Sequence, residues 1–381
     1  MTASSSPGGE ATTVIVLGSF AASLTRFRGA LIRRLVASGY RVIAAAPNID
    51  PATAAELAEM GAESHSTPLS RGGLNPFADL AYAVHLWGFF RSERPHALIA
   101  YTAKPVVWGA LVGSVAGVRR ITALITGLGY AFSEGGGFKR WVAHAVLSVL
   151  YRISLACCHS VVFQNPDDRD LFVSRGLAKA DRVGLTAGSG VELDLYPDSP
   201  PAPGPVFLMM ARLLKAKGVP EYAEAAISLR ARHPNAIFRL AGWRDDGPDM
   251  ISREQLDAYV AGGVEYLGHL REVQAALADC SVYVLPSCYR EGVPRSILEA
   301  LSSGRAVVTT DMPGCRETVI PGENGFIIPP HDEPALAQAM ERFIVEPELA
   351  AVMGARSRRL AAEVFDSHAV AAETMRLAGL E

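Results

Sequence analysis

The chain has 381 residues, with 36 Lys and Arg against 39 Asp and Glu, a net charge of −3 and 49% hydrophobic residues. That length suits two ordinary domains, and the apolar fraction excludes a disordered, collagen-like or low-complexity chain. The slightly negative charge speaks against a general nucleic-acid binder, and five cysteines without a secretory leader suit a reducing cytoplasm rather than a disulfide framework.

Residues 1–13 are small and polar and read as a disordered tail. Beyond them, short apolar, β-branched runs predict strands at 14–17, 41–46, 97–101, 121–125, 160–163 and 182–185. Helical patterns separate them at 27–38, 51–60, 75–92, 105–116, 138–156 and 166–175. The longest apolar run, Trp141 to Cys158, contains His144 and Arg152 and reads as a buried or surface-docking helix rather than a span. Five prolines lie between Pro197 and Pro205, where neither a helix nor a central strand can continue, so 198–205 reads as a linker. The alternation then restarts, with strands at 206–210, 237–241, 264–267, 282–285, 306–309 and 325–328. Helices at 217–232, 271–278 and 294–303 lie between them, and helices at 333–345, 347–364 and 367–378 close the chain. Apolar strands alternating with helices predict an α/β protein with parallel sheets covered on both faces. The expected architecture is two Rossmann-like, doubly wound domains, 14–197 and 206–364, facing across a cleft, with 365–381 packing back on the first. Such sheets bind ligands at the carboxyl ends of their strands.

Charge is unevenly divided. Residues 1–200 carry a net +3 and residues 201–381 a net −6, and Arg26, Arg28, Arg33, Arg34 and Arg41 stand in a stretch, 11–49, without a single acid. A basic first half predicts contact with something anionic: a membrane surface, a diphosphate, or both.

Two segments carry the chemistry. Arg212 and Lys217 follow the strand at 206–210, in a loop that can hold a guanidinium fork and a mobile ammonium over the cleft. Glu291-Gly292-Val293-Pro294-Arg295 follows the strand at 282–285 and opens a helix containing Glu299. Pro294 suits the first helical turn, and the amides of Val293, Arg295 and Ser296 would face an anion. Glu291 and Glu299 lie roughly 12 Å apart along the helix axis, which suits two ends of one extended ligand. A turn-rich segment, Thr310-Asp311-Met312-Pro313-Gly314 to Gly325, completes the pattern.

Together these segments resemble the retaining glycosyltransferases of the large family-four class, which have the GT-B fold. Tyr101-Thr102-Ala103-Lys104-Pro105, Thr126-Gly127-Leu128-Gly129, Phe163 to Asp170 and Gly188 to Glu192 resemble its bacterial members that extend undecaprenyl-diphosphate-linked sugars. The resemblance implies a hexosyltransferase that moves a hexose or N-acetylhexosamine from a UDP-sugar, with retention and without metal or other cofactor. The acceptor would be a polyprenyl-diphosphate-linked saccharide, on the cytoplasmic face of the cell membrane, to which the protein would bind peripherally. It implies that Arg212 and Lys217 hold the donor diphosphate, Glu291 the transferred sugar and Glu299 the ribose, with Gly292, Val293, Pro294 and Arg295 beside the phosphate. Leu267, His269 and Leu270 would meet the base, and Gly18 would also line the donor site. Arg26, Arg28, Lys104 and Gly127 are the candidate acceptor contacts. The chain departs from the family where a first-domain loop often carries His, with Lys104 placed there instead, and Gly18 lacks the usual neighbouring glycine. A nucleotide-sugar 2-epimerase of the same fold and a non-catalytic binding subunit remain as alternatives.

Weaker signals read structurally. Asp168 and Asp170 suit helix capping, Asp245-Asp246 a surface turn, and Cys157-Cys158 buried small residues. The nine histidines show no zinc spacing.

Overall fold

The structure, a computed structural model, describes residues 12–70, 75–128, 138–244 and 249–381. Gly129 and the Asp245-Asp246 turn lie outside them, as do the tail up to residue 11 and the side chains of 138–144.

The first domain is a seven-stranded parallel sheet in the order β3-β2-β1-β4-β5-β6-β7. Its strands are β1 (Thr13–Leu17), β2 (Arg41–Ala46), β3 (Glu63–Ser66), β4 (Ala97–Tyr101), β5 (Arg120–Ile125), β6 (Ser160–Phe163) and β7 (Val183–Leu185). Helices α1 (Ala21–Ala37), α2 (Pro51–Glu59), α3 (Pro76–Glu93), α4 (Ala103–Ala116), α5 (Phe138–Ala156) and α6 (Pro166–Ser174) cover it. Asp50, Asn75 and Asn165 each cap a helix whose first residue is proline, a local arrangement that fixes where α2, α3 and α6 begin.

The second domain repeats the plan with six parallel strands in the order β10-β9-β8-β11-β12-β13. They are β8 (Val206–Met210), β9 (Ile237–Ala241), β10 (Val264–Tyr266), β11 (Val282–Leu285), β12 (Ala306–Thr310) and β13 (Gly325–Ile328). Its helices are α7 (Val219–Arg232), α8 (Arg253–Ala261), α9 (Gln274–Ala278), α10 (Arg295–Ser302), α11 (Glu333–Val345) and α12 (Glu348–Val364). Strand order reverses between β1 and β4 and again between β8 and β11, so each sheet has its switch point where the carboxyl ends meet the other domain.

The structure refines the expected elements in five places. Helix α1 starts at Ala21 rather than Phe27, behind a cap residue, Phe20, with no capping side chain. Strand β3 and helix α8 were not anticipated. Residues 215–217 form a separate 3-10 turn, and Gly218 in a left-handed conformation (φ +77°) breaks it from α7. Pro294 is the cap of α10 rather than part of its first turn.

The proline-rich segment is docked. Arg305, fully buried, donates to the carbonyls of Pro200 (3.1 Å), Cys280 (2.8 Å) and Ser199 (2.7 Å). The last helix, α13 (Ser367–Ala378), returns to the first domain, where Ala371, Met375 and Ala378 share a core with Val14, Val16, Leu24 and Ile32. The outgoing and returning chains run side by side: Val191 N–H donates to Phe365 O (2.7 Å) and Ser367 N–H to Val191 O (3.1 Å).

Arg305→Ala should strand three backbone acceptors and lower stability by roughly 3 kcal/mol or more. The midpoint of urea unfolding reads this loss directly, and an unchanged midpoint would mean the linker is not held by this side chain.

Candidate active site

The loop after β8 is set by glycine. A Cβ on Gly218 would lie 2.0 Å from the Pro286 carbonyl oxygen, so only glycine lets this turn rest on the loop after β11. The contact brings Lys217 onto Glu291, and the two side chains form an ion pair. Ser287 Oγ donates to the other Glu291 oxygen at 2.7 Å, and Cys288 N–H donates to Ala216 O at 2.9 Å. The Lys217 ammonium also lies 5.7 Å from the Tyr289 ring centroid. Arg212 is half-buried in the same loop. A Cβ on Gly242 would collide with Ala211 O, so the loop after β9 packs directly against the start of this segment. Beyond it, Gly242 N–H donates to Gly268 O (2.8 Å), Leu267 N–H donates to Leu240 O (2.9 Å), and His269 stands edge-on to Trp243 (5.0 Å). Leu270 is half-buried against the second-domain core.

Glu299 sits on the first turns of α10. Tyr196 OH donates to its Oε1 at 3.0 Å and Arg295 Nε reaches the same oxygen at 3.1 Å. Burial pushes its carboxyl above the usual range, while Arg295, Tyr196 and Arg26 pull the other way. Arg26, on α1 of the first domain, is therefore close enough to act on a second-domain carboxylate. Arg295 also donates to Gly190 O (3.2 Å) and lies 5.8 Å from the Phe27 ring.

Arg28 is the most unusual cation of the cleft. It is buried, 4.8 Å over the Tyr101 ring, and its Nε has no hydrogen-bond partner among the described residues. Burial, with Arg295 nearby, depresses its pKa. A buried guanidinium beside a second cation gains most from an anion entering between them. Gly18 lies under the same ring, where a Cβ would meet the Tyr101 hydroxyl at 2.3 Å.

The two domains touch at the Arg290–Val293 loop. Gly127 (φ +109°) faces it so closely that a Cβ would lie 2.5 Å from Gly292 N, and a Cβ on Gly188 would press on Val293. Asn165 Nδ2 donates to Glu291 O (3.0 Å), and Val293 N–H donates to Gln164 Oε1 (3.3 Å). Arg290 pairs with Asp168 (3.1 Å), which is buried and whose pKa is raised by that burial. The Val293 amide, expected beside a phosphate, is thus engaged by Gln164 here. Gln164, Asn165, Asp168 and Arg290 were not singled out in the sequence as site residues. Their signal was the position of Gln164-Asn165 directly after β6. Lys104, by contrast, pairs with Asp79 (2.8 Å) and Ser70 O (3.0 Å) within the first domain.

Comparison with known proteins agrees with this architecture. Residues 24–188 match the glycosyl transferase 4-like domain, and residues 198–360 match glycosyl transferases group 1. The chain is 30% identical over 319 residues to the N,N′-diacetylbacillosaminyl-diphospho-undecaprenol alpha-1,3-N-acetylgalactosaminyltransferase of Campylobacter jejuni, covering 80% of this chain and 82% of that one. It is 22% identical over 322 residues to the capsular polysaccharide biosynthesis glycosyltransferase CapM of Staphylococcus aureus, covering 81% and 82%. The Anabaena HepE structure in complex with UDP and glucose superposes with a TM-score of 0.74 at 18% identity, over 96% of this chain and 98% of that one. The chain belongs to the group 1 glycosyltransferases, the GT4 family, and has the GT-B fold. It is a glycosyltransferase enzyme.

Gly127→Ala should separate the two halves of this site without unfolding either domain. Sugar transfer is expected to fall about 10²-fold, the cost of an ångström-scale misplacement, with an unchanged circular dichroism spectrum. Near wild-type transfer would show that the cleft does not depend on this contact.

Proposed function

We propose that the enzyme transfers a hexose or N-acetylhexosamine from a UDP-sugar to a polyprenyl-diphosphate-linked saccharide, with retention of configuration and without a metal. One observation carries this reading: Arg28 of the first domain is buried with no partner for its Nε among the described residues, and it lies near enough to Arg295, at the start of α10 in the second domain, for the two cations to act on each other. A diphosphate supplies the anion that this guanidinium lacks.

Without donor, Lys217 neutralises Glu291. On donor binding Lys217 and Arg212 turn to the diphosphate, and Glu291 is left to accept hydrogen bonds from hydroxyls of the transferred sugar. Glu299, oriented by Tyr196 and Arg295, accepts from the ribose. The loop around Leu267, His269 and Leu270 meets the base, and Gly18 lines the approach from the first domain. Arg212 and Lys217 stabilise charge developing on the departing UDP, with Gly292–Arg295 at the start of α10 completing the anion site. The acceptor hydroxyl attacks on the face from which UDP leaves, and the leaving phosphate takes its proton. Arg26 and Arg28 hold the acceptor diphosphate, Gly127 lies between the two substrates, and Lys104 stands at the rim.

The first domain supports a peripheral site on the cytoplasmic face of the membrane. Among the described residues no helix is long and apolar enough to cross a bilayer. Helix α3, however, exposes Phe77, Leu80, Val84 and Trp87 at helical spacing, and α5 exposes Val146, Val149 and Ile153. The basic excess of the first half complements anionic lipid. The Campylobacter relative is named for an undecaprenyl-diphosphate acceptor.

Arg212→Ala and Lys217→Ala should each lower kcat by about 10²-fold or more with folding intact, and calorimetry of the wild type should show binding of UDP in preference to GDP. Near wild-type turnover in either variant would remove the diphosphate assignment, and a preference for GDP would remove the proposed donor.

A further inference from the structure

Glu221, Cys288 and His331 come from three separate segments of the second domain. Glu221 is in the first turn of α7, Cys288 lies just after β11, and His331 just after β13. Each follows the carboxyl end of a strand, so the parallel sheet gathers them although Cys288 and His331 are 43 residues apart. One ligand atom from each, the Glu221 carboxylate oxygen, the Cys288 sulfur and a His331 ring nitrogen, lie within 4.8 Å of one another. His331 Nδ1 is 3.0 Å from Glu221 Oε1. Glu221 Oε2 is buried and has no hydrogen-bond partner among the described residues. His331 is held in the left-handed region (φ +60°), a conformation that costs a side-chain residue on the order of 1 kcal/mol and persists where its surroundings impose it.

We propose that these three side chains bind a borderline-soft divalent cation, Zn²⁺ in the first instance, at a site separate from the donor diphosphate. The donor set is one thiolate, one imidazole and one carboxylate, which together suit Zn²⁺ far better than Mg²⁺ or Ca²⁺. Around a tetrahedral Zn²⁺ the ligand atoms stand roughly 3.5 Å apart, as its bond lengths require, so sub-ångström to one-ångström movements close the site. The imidazole of His331 is largely exposed, which leaves a fourth position for water. An ordinary cysteine thiol carries its proton at neutral pH, whereas the metal-bound form is the thiolate. Binding then exchanges one thiol proton, released to solvent, for a sulfur–metal bond. Proton release on metal addition is therefore part of the prediction.

The position gives the cation leverage over the active-site loops. Cys288 follows Ser287, which donates to Glu291, and its N–H donates to Ala216 O beside Lys217. Glu221 lies four residues after Lys217, across the Gly218 break. A bound cation would therefore tie the loop after β8 to the loop after β11 and to the segment after β13. This does not depend on which donor the enzyme uses.

Co²⁺ is the spectroscopic probe. Titrating purified, chelator-treated protein should give a thiolate-to-Co²⁺ charge-transfer band and tetrahedral visible bands saturating at one equivalent. Zn²⁺ should displace them. Cys288→Ser should abolish the charge-transfer band, and His331→Ala should raise the Co²⁺ Kd at least tenfold. Cys157→Ser, which alters another thiol that is not fully buried, should leave both unchanged. Absence of the band in the wild type, or its persistence in Cys288→Ser, would overturn the proposal.

Discussion

The site depends on one crowded contact: the Arg290–Val293 loop, which belongs to the second domain, is seated against Gly127, Gln164, Asn165 and Gly188 of the first. Neither domain alone can fix that loop. Behind it, Gly314 is equally constrained, since a Cβ there would lie 1.9 Å from Gly292 O. A backbone held from both sides aims the Glu291 carboxylate at Lys217 and sets the beginning of α10, from which Arg295 and Glu299 project. The glycines serve approach as much as flexibility, because any side chain at 127 or 314 would occupy the space through which the loop passes.

The charges of the cleft follow from the same geometry. Lys217 and Glu291 satisfy one another, as do Arg295 and Glu299, and Arg290 and Asp168 join the domains. Arg28 is left with an aromatic face and a buried Nε lacking a partner among the described residues, beside Arg295. The cleft thus carries positive charge in a place where water cannot fully solvate it. Such a place is prepared to receive an anion. Arg305 and the paired crossings at Val191 and Phe365–Ser367 keep the two halves from drifting apart along the chain.

Much of this was legible in the sequence because buried parallel strands announce themselves as apolar runs. Thus β1, β4, β8 and β11 fall close to their expected places. Strand β3 did not, since its residues, Glu63 to Ser66, are polar and it pairs only with β2 at the sheet edge. The early start of α1 was hidden because Phe20 makes no side-chain cap. Helix α8 carried a readable signal, the Ser252 and Gln255 capping box, that a search for apolar periodicity passes over. Lys217, Glu291 and Glu299 were singled out by motifs that together resemble a family, but the roles of Gln164, Asn165 and Asp168 could not be read. Those depend on a contact between residues more than a hundred positions apart, and Asp168 read locally is only a residue near a helix start. The Glu221, Cys288 and His331 group is invisible because its members follow three different strands and meet only in the folded sheet.

The most direct measurement is release of UDP from a panel of UDP-sugars by the purified protein, with and without a short polyprenyl-diphosphate-linked saccharide. Release from one donor that rises on adding the lipid-linked acceptor, with the sugar recovered on that acceptor in retained configuration, is the expected result. Release that ignores the acceptor, or no release from any UDP-sugar, would contradict the proposed transfer.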